Sequence, residues 1–328
     1  MSTRTSTRID ELTDDIAENR VPGGSAFARA AAELIMLRVQ GLDDAASPDT
    51  VRETVVAAAE WAARTKPSMA VVRNVADLAV SVLGDAGSDA GSDAGSDAAS
   101  LRRAVADAMT GFIARSSGAV TAIGELADEV FVDGATVLVH SYSASLEAML
   151  RTAVARGRTF TLLVTESRPY RESRRLIDAV ADSGVDIVLY SDAAMAVAAT
   201  AADVALVGAD SVYTDGSFAN KTGSLPLALV CREHGVPLYV ATELAKVYFG
   251  DAEDVEMELR PAAELSEGWP LIESGRVRVW NQFFERVEAG YVTAYLTEVG
   301  VLAPDAIRAA ASESWQSPAA GRELTGSV

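Results

Sequence analysis

The sequence predicts an α/β protein in which an N-terminal helical domain precedes a domain built on a parallel β-sheet. Residues from about 8 to 126 contain alanine-rich helical stretches, whereas five short β-rich runs follow residue 131. Helical stretches alternate with these runs, as in right-handed βαβ units. Each run is almost continuously apolar, which is typical of parallel strands that are covered on both faces of the sheet.

The helical domain is expected to span residues 1–127. Ser25 follows a Pro-Gly-Gly sequence and is the expected N-cap of a helix over residues 26–40. Further helices are predicted at about 49–64, 68–83 and 100–127. Residues 85–98 repeat small and acidic residues and have nothing to bury, so we expect a flexible, solvated loop there.

The parallel-sheet domain is expected to span residues 128–310. Its five strands are predicted at residues 136–140, 159–165, 186–190, 204–207 and 237–241. A last helix is predicted over residues 281–295, and a polar tail rich in small residues over 311–328.

The amino-acid composition limits the possible environments and partners of the protein. The formal net charge is −19, and only three of the 28 basic residues are lysines, namely Lys66, Lys221 and Lys246. Such self-repulsion is screened in molar salt, where the Debye length is about 3 Å. We therefore expect a halophilic, archaeal protein. Its acidity argues against direct binding of duplex nucleic acid.

The same composition restricts location and cofactors. No apolar run approaches the roughly 18 residues that span a bilayer, and the polar N-terminus has no signal-peptide core. We therefore expect a cytoplasmic protein without membrane contact. One cysteine and two histidines exclude a disulfide framework and a cysteine- or histidine-rich metal site, so no metal and no cofactor are expected.

Polar residues follow the predicted strands at the points where the strands end. Ligands of open parallel sheets bind beyond these carboxyl ends, near helix N-termini whose free N–H groups attract anions. The residues in question are His140, Ser141 and Ser143 after the first strand, Glu166 and Arg168 after the second, and Asp210 after the fourth. The first loop lacks the G-x-G-x-x-G sequence, which disfavours a nicotinamide dehydrogenase.

The loop over residues 207–229 carries the strongest sign of an anion site. Asp215-Gly216 is a turn sequence, and Ser224 is expected to cap a helix. Asn220 and Lys221 precede that helix, so Lys221 would add a charge to a helix dipole already suited to an anion. The alternative is a surface lysine and a turn-forming Asp210. The scarcity of lysine favours the site.

Other candidates have structural alternatives. Ser143 is also the expected N-cap of the first helix of the sheet domain. Glu166 and Arg168 are as well explained by a local ion pair as by ligand contact. Cys231 lies among apolar residues in a predicted helix and is expected to serve packing.

Four segments together resemble a known family: residues 140–153, 165–194, 207–240 and 295–304. They are similar to the alpha, beta and delta regulatory subunits of translation initiation factor 2B. That superfamily also contains isomerases of methylthioribose-1-phosphate and ribose-1,5-bisphosphate. The resemblance implies a helical domain, a Rossmann-like domain, a ligand cleft between them, and dimers or hexamers.

The resemblance also implies site residues. Gly23, Gly24 and Ser25 stand where the family has its first ligand loop, and Lys66 where the isomerases have arginine. Asp210 and Asn220-Lys221 match the isomerases, which place a proton-transferring cysteine immediately after the histidine at His140. Here that residue is Ser141, a far weaker acid that would need an adjacent base.

Two hypotheses follow from the resemblance. The first is a non-catalytic, archaeal initiation-factor-2B-like regulatory subunit that binds a nucleotide or sugar phosphate, with an initiation factor subunit as a further expected partner. The alternative is an aldose–ketose isomerase in which Asp210 and Ser141 are catalytic. The expected ligand-binding residues are Gly23, Gly24, Ser25, Lys66, His140, Ser143, Glu166, Arg168, Asn220 and Lys221.

Overall fold

The structure, a computed structural model, describes residues 3–88 and 97–314. Residues 89–96 of the predicted flexible loop and residues 315–328 of the predicted tail lie outside this range. Among the described residues, no helix combines the length and the apolar character needed to cross a bilayer.

The N-terminal part is helical, as predicted. Its helices are α1 (Thr3–Ala17), α2 (Gly24–Gln40), α3 (Pro48–Thr65), α4 (Ala70–Ser88) and α5 (Ala98–Glu125). Their apolar faces form one core, in which Leu34, Val55 and Phe112 are fully buried. This core accounts for the helices, because amphipathic helices are stabilised mainly by packing of the apolar face.

Two details of the helical part differ from the prediction. Ser25 is not an N-cap, because α2 already begins at Gly24, immediately after Gly23 with its φ of 77°. The predicted loop over residues 85–98 is wrong at both ends. The helix α4 continues through Ser88, and the Asp97 carboxylate accepts a hydrogen bond from the backbone N–H of Ser100 and caps α5.

A seven-stranded sheet follows, in the order β11-β10-β7-β4-β1-β2-β3. Its strands are β1 (Thr136–Val139), β2 (Thr161–Thr165), β3 (Asp186–Tyr190), β4 (Val204–Gly208), β7 (Leu238–Ala241), β10 (Ala294–Thr297) and β11 (Gly300–Leu302). All neighbours pair in parallel except β10 and β11. The five predicted strands are confirmed to within two residues, and β10 and β11 are additional.

Helices cover both faces of the sheet centre. They are α6 (Ala144–Ala155), α7 (Arg174–Val180), α8 (Met195–Ala199), α9 (Ser224–His234) and α12 (Ile307–Ser314). Along β1, Val137 and Val139 pack into one core and Leu138 into the other, as expected for a strand covered on both sides. The edge strand β3 departs from this pattern, since Leu189 is 58% exposed.

A second, four-stranded sheet was not predicted. It has the order β8-β5-β6-β9, with β5 (Ser211–Tyr213), β6 (Phe218–Lys221), β8 (Val247–Tyr248) and β9 (Phe284–Val287). The predicted loop over residues 207–229 therefore contains a β-hairpin with its turn at Asp215 and Gly216. The predicted helix over residues 281–295 is wrong, because β9 pairs with β6 and β10 with β7. Between β8 and β9 lie two short helices, α10 (Ala263–Ser266) and α11 (Pro270–Glu273).

Candidate functional site

A pocket lies between the helical part and the carboxyl ends of β1 and β4. Its empty volume, which includes space open to solvent, is about 510 Å³. Gly23 and Phe27 line it from the helical part, and Ser141, Asp210 and Lys221 from the strand ends. The structure thus brings together residues that lie almost 200 positions apart in the sequence.

Asp210 follows β4 and is enclosed by protein except where it reaches the pocket. Its backbone N–H donates to the Ala219 carbonyl at 2.9 Å. The Asn220 amide, oriented by its hydrogen-bond partners, donates to Asp210 Oδ2 at 3.2 Å and to the Gly208 carbonyl at 3.3 Å. Burial raises the pKa of Asp210 to about 6, although the positive charge of Lys246 opposes the rise.

The start of α2 approaches Asp210 closely. A Cβ atom at Gly24 would lie 3.0 Å from Asp210 Oδ1, and one at Gly23 would lie 3.5 Å from the Tyr142 ring. Glycine at position 24 thus permits the contact between α2 and the fourth strand. Of the three residues predicted in this loop, Gly23 lines the pocket, Gly24 contacts its carboxylate, and Ser25 is buried.

Ser141 lines the pocket directly after β1. Its φ of 67° turns the chain sharply, and its backbone N–H donates to Ser173 Oγ at 3.1 Å. The Ser141 hydroxyl donates to Glu172 Oε2 at 3.3 Å, which is long for such a bond. The only cysteine of the sequence, Cys231, lies buried in α9, where burial raises its pKa to about 12. The pocket therefore contains no thiol.

Lys221 ends β6 and lines the same pocket. Its Nζ donates to the Arg168 carbonyl at 2.8 Å, lies 3.7 Å from Glu172 Oε2, and sits 3.9 Å from the centre of the Phe283 ring. Burial lowers the pKa of Lys221, and the negative charge of Glu172 opposes this effect. The amine is therefore positioned by protein acceptors at the pocket wall.

The N-terminus of α9 does not offer the predicted anion site. Glu285, on β9, accepts hydrogen bonds through Oε1 from the N–H groups of Gly223 at 2.6 Å and Leu225 at 2.8 Å. Ser224 is the first residue of α9 and donates to the Lys221 carbonyl at 2.7 Å, so its expected capping role is wrong. The unpredicted strand β9 explains the difference, since it places an internal carboxylate at this helix end.

His140 is buried beneath this turn. Its Nε2 lies 3.0 Å from the Thr222 carbonyl and its Nδ1 lies 2.6 Å from Thr165 Oγ1. A carbonyl oxygen only accepts, so Nε2 carries the proton. Burial lowers the pKa of His140 and keeps the ring neutral. A Cβ atom at Gly223 would lie 2.4 Å from Nε2, which explains the glycine there.

The predicted residues of the second loop have structural partners. Arg168 forms an ion pair with Glu267, and Glu166 lies 3.6 Å from Arg171, so the expected pair between Glu166 and Arg168 does not form. The Asp192 carboxylate accepts from the N–H groups of Ser167 and Arg168, both at 2.8 Å. Ser143 precedes α6 without a side-chain capping bond.

All three lysines of the sequence are at most 3% exposed; Lys221 lines the pocket, and Lys66 and Lys246 contact residues at or next to it. Lys66 donates to the Asn19 side chain and lies 5.0 Å from the centre of the Phe27 ring, and both partners line the pocket. Burial lowers the pKa of Lys66 to about 8. Lys246 donates to the Ala209 carbonyl at 2.8 Å, next to Asp210. Because lysine is rare in this sequence, Lys246 could have been identified as a candidate from the sequence.

Other pocket residues carried no such signal. Glu172 and Glu258 add two carboxylates, and Phe283 and Phe284 add an aromatic wall. Glu258 and the two phenylalanines come from the region after β8 in which the sequence predicted no strand. Carboxylates accept hydrogen bonds from ligand hydroxyl groups, and lysine attracts an anion. Among the described residues, no three histidine, cysteine, aspartate or glutamate side chains are grouped to hold a metal ion.

Comparison with known proteins identifies the family. Residues 20–304 match the initiation factor 2 subunit family. The chain belongs to this family. It is 31% identical over 307 residues to the ribose 1,5-bisphosphate isomerase of Haloferax volcanii, covering 93% of this chain and 89% of that protein.

A protein of Pyrococcus horikoshii described as eIF-2B subunit 2-like is 27% identical over 301 residues, covering 90% of this chain and 97% of the relative. The crystal structure of translation initiation factor eIF-2B from Pyrococcus horikoshii OT3 superposes with a TM-score of 0.74 at 25% identity, covering 93% of this chain and 98% of that chain. The predicted resemblance is thus confirmed, and relatives of similar rank carry an isomerase name and an initiation-factor name.

Proposed function

We propose that this protein is a regulatory, non-catalytic member of the family that binds a nucleotide or sugar phosphate in the pocket between its two parts. One observation carries the proposal. The pocket retains Asp210 and Lys221 but has Ser141 in place of the thiol that the resemblance assigns to the isomerases. We further propose a cytoplasmic homo-oligomer, a dimer or hexamer, that associates with an initiation factor subunit.

Ligand binding would use positive and negative groups that lie side by side in the pocket, since Lys221 is close to Glu172 and the start of α2 is close to Asp210. The carboxylates of Asp210, Glu172 and Glu258 accept hydrogen bonds from sugar hydroxyl groups. Lys221 and the positive end of α2 attract the phosphate, since the N-terminus of α9 is already occupied by Glu285. This placement replaces the phosphate position expected from the sequence.

The absence of turnover follows from the acidity of Ser141. A thiol has an ordinary pKa near 8.5 and exchanges protons at neutral pH, whereas a serine hydroxyl does not. The Glu172 carboxylate accepts the hydrogen bond of Ser141 at 3.3 Å, slightly beyond the roughly 2.6–3.2 Å reach of a general base. Asp210 would then bind the ligand without a partner for proton transfer.

The alternative function is an aldose–ketose isomerase, and two observations favour it. The pKa of Asp210 at about 6 suits a group that takes up and returns a proton near neutral pH. Glu172 lies beside Ser141 in the position of a base. In this alternative Asp210 shuttles the proton, and Ser141 takes the role of the missing cysteine.

An activity assay separates the two functions. The full chain, its Ser141→Cys variant and its Asp210→Asn variant are incubated in molar salt with ribose-1,5-bisphosphate and with methylthioribose-1-phosphate. We expect no turnover by the wild type, together with thermal stabilisation by a sugar phosphate or nucleotide. Turnover by the wild type that disappears in Asp210→Asn would contradict the regulatory proposal and establish the isomerase.

A binding assay tests the phosphate position. Lys221→Ala should weaken the binding of the stabilising ligand by about ten- to a hundredfold, because a charge-assisted hydrogen bond is lost. The matched control is Arg103→Ala, which removes an exposed positive charge from α5 and should leave binding unchanged. Equal affinities of the wild type and Lys221→Ala would show that the phosphate lies elsewhere.

A further inference from the structure

A second cavity lies between α5 and the carboxyl end of β7. It shares no lining residue with the first pocket, and its empty volume is about 330 Å³. Phe112, Ala119, Leu244 and Ala245 give it apolar walls, and Glu243 and Glu298 provide two carboxylates. Arg115 and two serines also line the cavity, so its charged groups are two carboxylates and one guanidinium group.

Glu243 is fully buried in this cavity, and neither of its carboxylate oxygens accepts a hydrogen bond from any described residue. The neighbouring carboxylate differs. The oxygens of Glu298 accept from the backbone N–H of Leu244 at 3.2 and 3.0 Å. Burial raises the pKa of Glu298, and the negative charge of Glu243 raises it further. The two carboxylates thus repel each other in an enclosed space.

Within residues 3–88 and 97–314, no side chain or backbone group supplies a hydrogen bond to the Glu243 carboxylate. Arg115 lines the same cavity, yet neither oxygen of Glu243 accepts a hydrogen bond from it. The nearby Ser116 hydroxyl accepts from Arg29 at 3.0 Å. A buried carboxylate without a hydrogen-bond partner is costly, so a site of this kind is suited to a cation from solution.

We propose that this cavity binds the primary ammonium group of an aliphatic amine, at a site distinct from that of the phosphorylated ligand. An ammonium group has three N–H donors, and the Glu243 carboxylate has all its acceptor positions unused. The alkyl chain of the amine packs against Phe112, Leu244 and Ala245. Among the described residues, no three histidine, cysteine, aspartate or glutamate side chains are grouped here to hold a metal ion.

The test uses n-butylamine, with n-butanol as an uncharged ligand of the same shape. At pH 7 the amine is protonated, like a lysine side chain. Thermal unfolding and calorimetric titration of the full chain are measured at constant salt. We expect saturable binding of the amine with a rise in Tm, and neither effect with the alcohol.

Variants assign the binding to the cavity. Glu243→Gln should weaken amine binding by about ten- to a hundredfold, because it removes the charge but preserves the shape. Glu313→Gln, which removes an exposed carboxylate from α12, should bind the amine as the wild type does. If Glu243→Gln does not fold, Glu298→Gln replaces it and should weaken binding in the same sense.

Three results would overturn the proposal. They are no saturable binding of n-butylamine by the wild type, equal stabilisation by n-butanol, and undiminished amine binding by a folded Glu243→Gln or Glu298→Gln variant. On the wild type alone, the comparison of amine with alcohol can already contradict the proposal, and the variants then assign observed binding to the cavity.

Discussion

Asp210 and Glu243 occupy equivalent places in the sheet but have opposite surroundings. Each follows one of two adjacent parallel strands, Asp210 after β4 and Glu243 after β7. The Asp210 carboxylate accepts from Asn220 and lies near the charge of Lys246, whereas the Glu243 carboxylate has no hydrogen-bond partner among the described residues. The buried charge of a carboxylate at this sheet edge can therefore be compensated by protein groups, as at Asp210, or remain available to a ligand, as proposed for Glu243.

The difference arises from what the chain does after each strand. After Asp210 it forms the hairpin of β5 and β6, which returns Asn220 and Lys221 to the same edge. After Glu243 it enters the short 3-10 turn Leu244–Lys246, which directs the Lys246 amine to the Ala209 carbonyl. Lys246 is thus three residues from Glu243 in the chain, but its positive charge acts on Asp210.

The largest expected effect comes from removing this lysine. Lys246→Met preserves the length of the side chain but removes the positive charge that most opposes the raised pKa of Asp210, and it leaves the Ala209 carbonyl without its donor. We expect the free energy of unfolding to fall by about 4 kcal/mol, as measured by urea denaturation. The double variant Lys246→Met/Asp210→Asn should recover part of the loss. A loss below about 0.5 kcal/mol would mean that Asp210 needs no compensation.

The next effect concerns pH. Because the pKa of Asp210 is raised from 3.8 to about 6, the folded protein binds the proton more tightly than the unfolded chain. The contribution of Asp210 to stability is therefore complete below pH 4 and is lost as the pH rises through 6. Relative to wild type, Asp210→Asn should gain about 2 kcal/mol between pH 4 and pH 7, after allowance for solvent in the pocket.

Urea denaturation of the two proteins at each pH measures this difference, in which the titration of the other groups cancels. A difference that does not vary with pH would show that Asp210 titrates as an ordinary carboxyl group.

A smaller effect is expected at Glu243, where the substitution should stabilise the protein, in contrast to Lys246→Met. Glu243→Gln replaces an uncompensated buried charge by a neutral amide, so the free energy of unfolding should rise by about 1–2 kcal/mol in the absence of amines. Glu313→Gln is the control and should stay within about 0.5 kcal/mol of wild type. Destabilisation by Glu243→Gln would indicate that the protein itself compensates this carboxylate and would remove the contrast with Asp210.

The smallest effect tests the close approach of α2. Gly24→Ala would place a Cβ atom 3.0 Å from Asp210 Oδ1, so we expect a loss of about 1 kcal/mol and weaker ligand binding. Gly118→Ala in α5 meets open space and should instead stabilise the protein by about 0.5–1 kcal/mol through helix propensity. Thermal unfolding compares the two. Stabilisation of both variants to the same degree would show that the contact with Asp210 is unimportant.

The strands β1, β2, β3, β4 and β7 were predictable because apolar runs that alternate with helices indicate the strands of a covered parallel sheet. The predicted helix over residues 281–295 failed for an equally physical reason. Phe284, Val287, Tyr291 and Tyr295 recur at the three- and four-residue spacing of a helix face. Pairing with β6 and β7 forces the chain into strands, and such long-range pairing has no local signal.

The candidate site was predictable in part. Strand ends and rare lysines located Ser141, Asp210 and Lys221, which line one pocket. The internal anion Glu285 at the start of α9 and the pocket residue Glu258 were not foreseen, because both depend on the folding of the region after β8. The roles of Ser143, Glu166 and Arg168 as ligand contacts remain predictions.

The sequence by itself determined the α/β architecture, the family and the residue types available to the pocket, because these depend on local periodicity and on the order of motifs along the chain. Only the tertiary structure decided which charges compensate one another. Lys246 is close to Glu243 in the sequence, yet its amine lies beside Asp210. The Glu285 carboxylate occupies the N-terminus of α9, where the sequence predicted an anion. Electrostatic compensation depends on distance in space, which local sequence patterns do not encode.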